Sequence, residues 1–266
     1  MDGKPKILVA SPTYEGMKYC EKEFAESVTN LNYPNYDILI VDNSEKADYF
    51  NHLKETYSNF NIINDNPNAN EKNKMLRLVH SRNLILDYAA RNNYDYILML
   101  DSDVIAPKNI IQELLLCDKD IVSGVYYNYF IVDGKTKYMP VAWTALTEKE
   151  FETIKQKIQL PDFISSSKDL RAHLTEEEVN SNKLIEVIIP SAGCMLISRN
   201  AFEKLRYGVL DTIEQGGVKT TDDIYFSLEA RKQGFKAYCN TKIKCKHLIR
   251  GKFKKEGNLY KHPIYD

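Results

Sequence analysis

Two aspartates, Asp101 and Asp103, stand one residue apart directly after the apolar run Tyr96–Leu100. Like charges this close repel, and each resists ionising beside the other, so a cation must lie between them or one must hold a proton. A pair of carboxylates at a strand end can hold Mg²⁺ or Mn²⁺ and leave positions for phosphate and water. A metal so placed offsets charge on a departing diphosphate. An isolated D-x-D also arises on ordinary surface loops; here the apolar strand before it and Pro107 after it add weight. A second acidic cluster, Asp222 and Asp223 after Thr220 and Thr221, opens a helical pattern. Acidic residues cap helix N-termini for dipole reasons alone; the rival role is a general base, worth about 10²–10⁴-fold in rate. His247, flanked by lysines, is either a structural or surface residue or a third metal ligand.

The elements that must position these groups alternate through the first half. "KILVAS" (6–11) reads as a buried strand stopping at Pro12, followed by a helix near 17–30. "YDILIVDNS" (36–44) repeats the pattern and ends on Asp42; residues 47–58 suit a helix, and 60–65 a weaker third strand. Residues 71–93 form the longest helical segment, with apolar positions at 75, 78, 79, 85, 86 and 89. After Tyr96–Leu100, Pro107 starts another helix. This order predicts a parallel sheet covered by helices, with ligands outside the carboxyl ends of its strands. Neither G-x-G-x-x-G nor a Walker lysine loop is present, so dinucleotide and P-loop chemistry lack support. The second half predicts strands at 120–130, 137–146 and 183–198, a helix at 220–235 and two short closing strands, "KAYCN" and "IKCKHLI". Residues 147–183 read as a charge-rich insertion or flap.

Composition sets the class. The chain has 266 residues, 43% hydrophobic and 27% charged, which is ordinary for a globular protein. A formal charge of −1 gives no overall attraction to nucleic acid or membrane. One local exception, residues 242–257, is basic: a solvated edge, an anion-binding rim, or a seat for peripheral membrane contact. Five cysteines (Cys20, Cys117, Cys194, Cys239, Cys245) without framework spacing read as free thiols in a reducing compartment. Cys239, Cys245 and His247 lack a partner set to complete structural zinc. The start "MDGKPK" leads directly into the strand "ILVAS". No run approaches the roughly 18–20 apolar residues of a membrane span, so the expected location is cytoplasmic.

Taken in order, these segments resemble glycosyltransferases of the GT-A fold, and most closely the family-2-like group. The motifs are "ASPTYEG", "VDNS", "RLVHSRNLILDYA", "LMLDSDV", "SAGCMLISRNAFEKL" and "TDDIYFSLEARKQGFKAYCNTKIKCKHL". The resemblance covers nearly the whole chain and is weakest at 147–183. It implies one α/β domain over 1–266, with a Rossmann-like, mostly parallel central sheet and a smaller mixed acceptor-side sheet. Residues 1–105 would form the nucleotide-sugar half and 106–266 the acceptor half. By this resemblance Pro12, Thr13, Tyr14 and Glu15 meet the donor nucleotide, Asp42 its base or ribose, and Arg82 its phosphates or sugar. Asp101 and Ser102 adjoin the donor, while Asp101, Asp103 and His247 hold Mn²⁺ or Mg²⁺, with Asp103 the direct ligand. Asp223 is the base and Asp222 its acceptor-side neighbour. Gly193 lies at a close backbone approach, and Trp143 forms an acceptor-side wall.

The usual glutamate–aspartate pair is Asp222–Asp223 here, so the base assignment can slip by one. The Q-x-x-R-W motif and membrane helices of processive synthases are missing, which favours transfer of a single sugar. The resemblance therefore implies a hexosyltransferase moving a sugar, with inversion, from a UDP- or GDP-sugar to a glycan, glycolipid or glycoprotein acceptor. Two other readings stay open: a sugar-phosphate nucleotidyltransferase, for which "SPTYEG" is a poor match, and a non-catalytic carbohydrate- or nucleotide-binding module. Tyrosines at 126, 127, 129 and 138 suit packing or stacking on sugar rings. Oligomeric state has no signature in the sequence.

Overall fold

The computed structural model describes residues 3–65, 73–132, 134–160, 165–210, 221–250, 255–256 and 259–260. The first half runs β1 (Ile7–Thr13), α1 (Glu21–Thr29), β2 (Tyr36–Asp42), α2 (Ala47–Thr56), β3 (Asn61–Asn64), α3 (Lys74–Arg91) and β4 (Tyr96–Leu100). Next come β5 (Val104–Ile105), α4 (Ile110–Leu115), β6 (Ile121–Val125), β7 (Tyr127–Val132), β8 (Lys135–Pro140) and β9 (Trp143–Ala145). The remainder is α5 (Glu148–Lys157), β10 (Arg171–His173), α6 (Glu176–Asn180), β11 (Leu184–Val187), β12 (Cys194–Ser198), α7 (Arg199–Phe202), α8 (Asp222–Lys232), β13 (Ala237–Lys244) and β14 (Lys246–His247), then β15 (Lys255–Glu256) and β16 (Leu259–Tyr260).

Eight strands form one sheet in the order β11-β13-β6-β12-β4-β1-β2-β3. The block β4-β1-β2-β3 is parallel, β12 runs antiparallel to β4 and β6, β13 is parallel to β6, and β11 is antiparallel to β13. The mostly parallel α/β sheet expected from the strand–helix alternation is the observed one. Its central strands are buried on both faces, which is why Ile7–Ala10 and Ile97–Leu100 read as continuous apolar runs rather than alternating ones.

Several boundaries differ from the sequence reading. β1 does not stop at Pro12 but continues to Thr13, with Pro12 opposite Val41. Pairing with β4 ends at Ala10, so the missing Pro12 N–H costs no ladder bond on that side. The strand expected at 120–130 breaks at Tyr126 into β6 and β7, and β7 turns away to form an antiparallel hairpin with β8. The two closing strands are instead one long strand, β13, with a register shift between Cys239 and Lys244, followed by the two-residue β14. Much of the segment 147–183 is regular. Thr147 and Thr175 cap α5 and α6 through capping boxes, and β10 pairs with β9. The five cysteines are free thiols. Among the described residues no helix is long and apolar enough to cross a membrane. The basic stretch 242–257 lies partly outside the described residues; within it, Lys242 pairs with Glu113 at 2.9 Å and Lys246 approaches Glu23 at 3.8 Å.

Helix α3 has the most consequence for the site. Its buried positions are Arg77, Ser81, Arg82, Ile85, Leu86 and Ala89. The inward stripe 77-81-85-89 therefore turns polar in its first half, against the apolar periodicity read at 75, 78 and 79. The apolar end packs on the sheet, and the polar end reaches the carboxyl ends of β1, β2 and β4.

Candidate active site

A cleft of about 300 Å³ opens at those strand ends, with Thr13, Asn43, Arg77, Arg82, Asp101 and Asp103 among its lining residues. Pro12, Tyr14 and Ser102 line it too, joined by Met17, Lys74, Met75 and Leu78, none of which the sequence reading assigned to a site. β1 delivers the first wall: Pro12 and Thr13 are buried and Tyr14 is 37% exposed. The Glu15 N–H donates to Ser44 Oγ at 2.8 Å, tying the loop after β1 to the loop after β2. Asp42, at the end of β2, is fully buried and does not line the cleft. Its Oδ1 accepts from Ser44 N at 3.1 Å and Ser44 Oγ at 2.6 Å, while its Oδ2 has no donor among the described residues. Burial pushes the Asp42 carboxyl above its ordinary range, against the pull of the Ser44 bonds.

Asp101 ends β4 with its N–H donated to the Gly193 carbonyl at 3.0 Å. Arg82 Nη2 donates to Asp101 Oδ1 at 2.8 Å, and Arg82 Nε lies 2.7 Å from Asp222 Oδ2 without hydrogen-bond alignment. One buried guanidinium thus serves two carboxylates, Asp101 and Asp222, that are 121 residues apart in sequence. Its plane also sits over the Tyr207 ring at 5.2 Å. Asp101 lies deep, yet 31% of its side-chain surface remains open. Burial raises its carboxyl, Arg82 lowers it and the Asp103 charge raises it, leaving the group above its ordinary range. Gly193 is required by this crowding: a Cβ there would lie 2.7 Å from Asp101 Oδ2 and 2.8 Å from the Tyr126 hydroxyl.

Asp103 meets a different partner. β14 pairs antiparallel with β5, and the Leu248 N–H donates to the Asp103 carbonyl at 2.7 Å, so the C-terminal segment is carried back over the acidic turn. His247 Nε2 then lies 3.3 Å from Asp103 Oδ2, both side chains being largely buried. His247 Nδ1 donates to the Tyr127 carbonyl at 3.0 Å. In the neutral ring that bond leaves the lone pair on Nε2, on the Asp103 side. Burial disfavours the charged ring, but the Asp103 hydrogen bond and charge outweigh it, and the imidazole pKa is raised.

The donor atoms of Asp103 and His247 suit a divalent cation that takes its remaining ligands from phosphate and water. Among the described residues no group of three or more acidic, histidine or cysteine side chains is placed to hold a metal ion, so Asp101, Asp103 and His247 do not converge as the expected three-ligand set. The chemistry of this partial set fits Mg²⁺ or Mn²⁺ better than structural zinc.

Asp222 and Asp223 open α8. Asp222 is turned inward and 5% exposed, facing Arg82. Asp223 turns the other way: its Oδ1 accepts from the Thr221 hydroxyl and from Ile224 N at 2.8 Å, and its Oδ2 has no hydrogen-bond partner among the described residues. Burial raises its carboxyl and the Thr221 bond opposes this, with Asp222 pushing it up further. Tyr126 feels both Asp101 and Asp223; burial and those charges hold its phenol well above the ordinary value and therefore protonated. The arrangement supplies a carboxylate able to accept a proton, close to a second acidic centre able to hold a cation.

Arg82 thus gathers Asp101 and Asp222, His247 joins Asp103, and Gly193 abuts Asp101. Trp143 sits apart in an aromatic cluster, 4.8 Å from the His173 ring and 5.9 Å from Phe130. Of the clustered tyrosines, Tyr126 packs edge-on to His247 at 5.2 Å and Tyr127 stacks on Tyr138 at 5.1 Å. Residues missed by the sequence reading include Asn43, Asp65, Arg77 and Ser81. For Arg77 and Ser81 the available signal was the 77-81-85-89 spacing, which continues the apolar stripe of α3 with polar residues; Asn43 and Asp65 follow the ends of β2 and β3.

The family model described as Glycosyl transferase family 2 matches residues 11–206. A similar solved structure, a crystal structure of GalNAc-T7 with UDP, GalNAc and Mn²⁺, superposes with a TM-score of 0.58 at 12% identity. The match covers 94% of this chain and 45% of that one, so this chain spans less than half its length; at that identity the likeness concerns fold alone. Comparison with curated proteins finds no match.

Proposed function

The chain belongs to glycosyl transferase family 2, with a GT-A fold, and from that premise we propose that this glycosyltransferase moves one sugar from a nucleotide-sugar donor to an acceptor hydroxyl, with a divalent metal and with inversion. The observation that carries the proposal is the shared Arg82, which binds one carboxylate of each acidic pair and leaves Asp103 and Asp223 for chemistry. Asp103 and His247, with Asp101 beside them, would hold Mn²⁺ or Mg²⁺. When bound, that cation supplies charge to offset the leaving diphosphate. The UDP and Mn²⁺ in the GalNAc-T7 structure support this reading by analogy of fold.

The chain's own groups do the rest. Pro12, Thr13 and Tyr14 wall the nucleotide end of the cleft, with Glu15 and Asp42 shaping the two loops, while Asp101 and Ser102 border the donor's phosphates. Asp223 Oδ2 takes the proton of the acceptor hydroxyl, whose oxygen attacks the anomeric carbon opposite the leaving group. Burial makes Asp223 a stronger base than an exposed carboxylate. Its neighbour Asp222 holds α8 to the donor side through Arg82. The family match ends at residue 206, so Asp222, Asp223 and His247 lie beyond the matched residues and their roles rest on this geometry. Residues 106–266 would present the glycan, glycolipid or glycoprotein acceptor. Free thiols suit a reducing compartment, in keeping with a cytoplasmic site of action.

The test is incubation with UDP-, GDP-, ADP- and dTDP-sugars, with Mn²⁺ or with EDTA, measuring free nucleoside diphosphate and donor binding. Metal-dependent release from one donor is expected. Absence of both release and metal-dependent binding for every donor overturns the proposal.

A further inference from the structure

We propose that Asn83 and Tyr207 are positioning residues for the base: Asn83 clamps the Tyr207 backbone to α3, and the Tyr207 ring, wedged between Arg82 and Phe226, sets where α8 begins. This rests on the transferase reading and deepens it, because α8 carries Asp222 and Asp223 on its first turn. Neither Asn83 nor Tyr207 is among the residues lining the donor cleft. Both would act through other groups.

The clamp is a two-bond ring. Asn83 Nδ2 donates to the Tyr207 carbonyl at 3.0 Å, and Asn83 Oδ1 accepts from the Tyr207 N–H at 2.9 Å. A backbone N–H can only donate and a carbonyl can only accept, so the direction of the amide is fixed. Both bonds go to one residue, which holds its orientation as well as its position. One turn further along α3, Asp87 Oδ1 accepts from Arg206 Nη2 at 3.1 Å and adds a second tie. That pair is exposed and contributes little, so Asn83 carries the attachment.

From that seat the ring reaches α8. Tyr207 is buried and stacks on Phe226, with ring centres 4.5 Å apart and planes 20° apart. The Arg82 guanidinium lies 5.2 Å from the same ring. Phe226 is buried too and follows Asp222 by four residues, which puts the two on one face of the helix. That face therefore meets α3 and its clamped neighbour twice: Asp222 against Arg82, and Phe226 against Tyr207. Two contacts one turn apart resist both sliding and tilting of a helix, and Asp223 is carried with them. Gly208 shows how closely the segments pack, since a Cβ there would lie 2.7 Å from the Tyr225 ring. The Tyr207 hydroxyl is buried without a hydrogen-bond partner among the described residues. The ring, and not its oxygen, makes the contacts that matter.

The experiment compares wild type with Asn83→Ala, Tyr207→Leu and Tyr207→Phe, each checked for folding by thermal melt. Hydrogen exchange read by mass spectrometry follows the helices and strands. Release of nucleoside diphosphate from the UDP- or GDP-sugar that wild type cleaves, with water as acceptor, gives kcat. Titration with the matching nucleoside diphosphate in Mn²⁺ gives donor-site affinity. In Asn83→Ala and Tyr207→Leu the amides of α8 should exchange faster while those of β1 and β4 keep their protection. In the same two variants kcat should fall about tenfold, the worth of the lost contacts, with diphosphate affinity held within about twofold. Tyr207→Phe keeps the ring and should recover most of the kcat that Tyr207→Leu loses. Unchanged exchange in α8, or a rise spread evenly over the sheet, overturns the clamp. An unchanged kcat, a matching loss of diphosphate affinity, or a Tyr207→Phe as damaged as Tyr207→Leu overturns the positioning role. If wild type neither binds nor cleaves any nucleotide-sugar, the transferase reading fails, while the exchange result still decides the clamp.

Discussion

Asp101 with Asp103, and Asp222 with Asp223, face the same electrostatic problem in two different local structures. The first pair sits on a turn at a strand end, one residue apart; the second opens a helix, on adjacent residues. In both, one member is given to Arg82 and the other is not. At the turn the remaining aspartate faces an imidazole brought from the far end of the chain. On the helix the remaining aspartate is held, among the described residues, by neutral donors, the Thr221 hydroxyl and a backbone N–H. The contrast separates the two kinds of work. A carboxylate beside an imidazole that can give up its proton is suited to hold a cation, and one bound by neutral donors among the described residues is suited to take a proton.

Breaking the comparison at its most chemical point should give the largest effect. Asp223→Asn keeps the shape and removes the base, so turnover should fall by about 10²–10⁴-fold while donor binding persists. Steady-state rates together with donor titration check this, and near-normal turnover would move the base to Asp222. Next is the shared cation. Arg82→Met leaves Asp101 and Asp222 without their counter-ion and should destabilise the fold by about 3 kcal/mol. This is the lower end for a broken buried pair, because Asp101 is partly open to solvent. Urea denaturation measures it, and unchanged stability would mean that the carboxylates are relieved by something other than Arg82.

The smallest effect sharpens the helical side. Asp223 must be ionised to act, so activity rises with pH through its raised pKa. The Thr221 hydroxyl favours the ionised form and lowers that pKa. Thr221→Val should therefore shift the acid limb of kcat/KM to higher pH and leave the plateau little changed. A limb that stays in place would show that another group controls it.

Much of this was legible in the chain because it is local. Asp101 and Asp103 could be placed at a strand end since the apolar run before them must be buried, and Asp222 and Asp223 at a helix start since the apolar pattern begins after them. Gly193 was legible only as a small residue, and the crowding by Asp101 and Tyr126 that demands it comes from packing. Asn43 and Ser81 lay inside quoted motifs without a role of their own, and Asp65 had none either. Each is an ordinary polar residue, and the hydrogen-bond chain that joins them, from Asn43 through Ser81 to Asp65, exists only once three elements meet.

By itself the sequence determined the alternation of strands and helices and the parallel half of the sheet, since burial on two faces writes itself as uninterrupted apolar runs. It also determined the acidic residues at the edges of those elements. Only the tertiary structure decided which charge answers which. Arg82 meets Asp222 across 140 residues of chain, and His247 reaches Asp103 because β14 folds back on β5. Hydrogen bonds and ion pairs act over a few ångströms of space, and residue spacing carries no record of such distances until the chain has closed on itself.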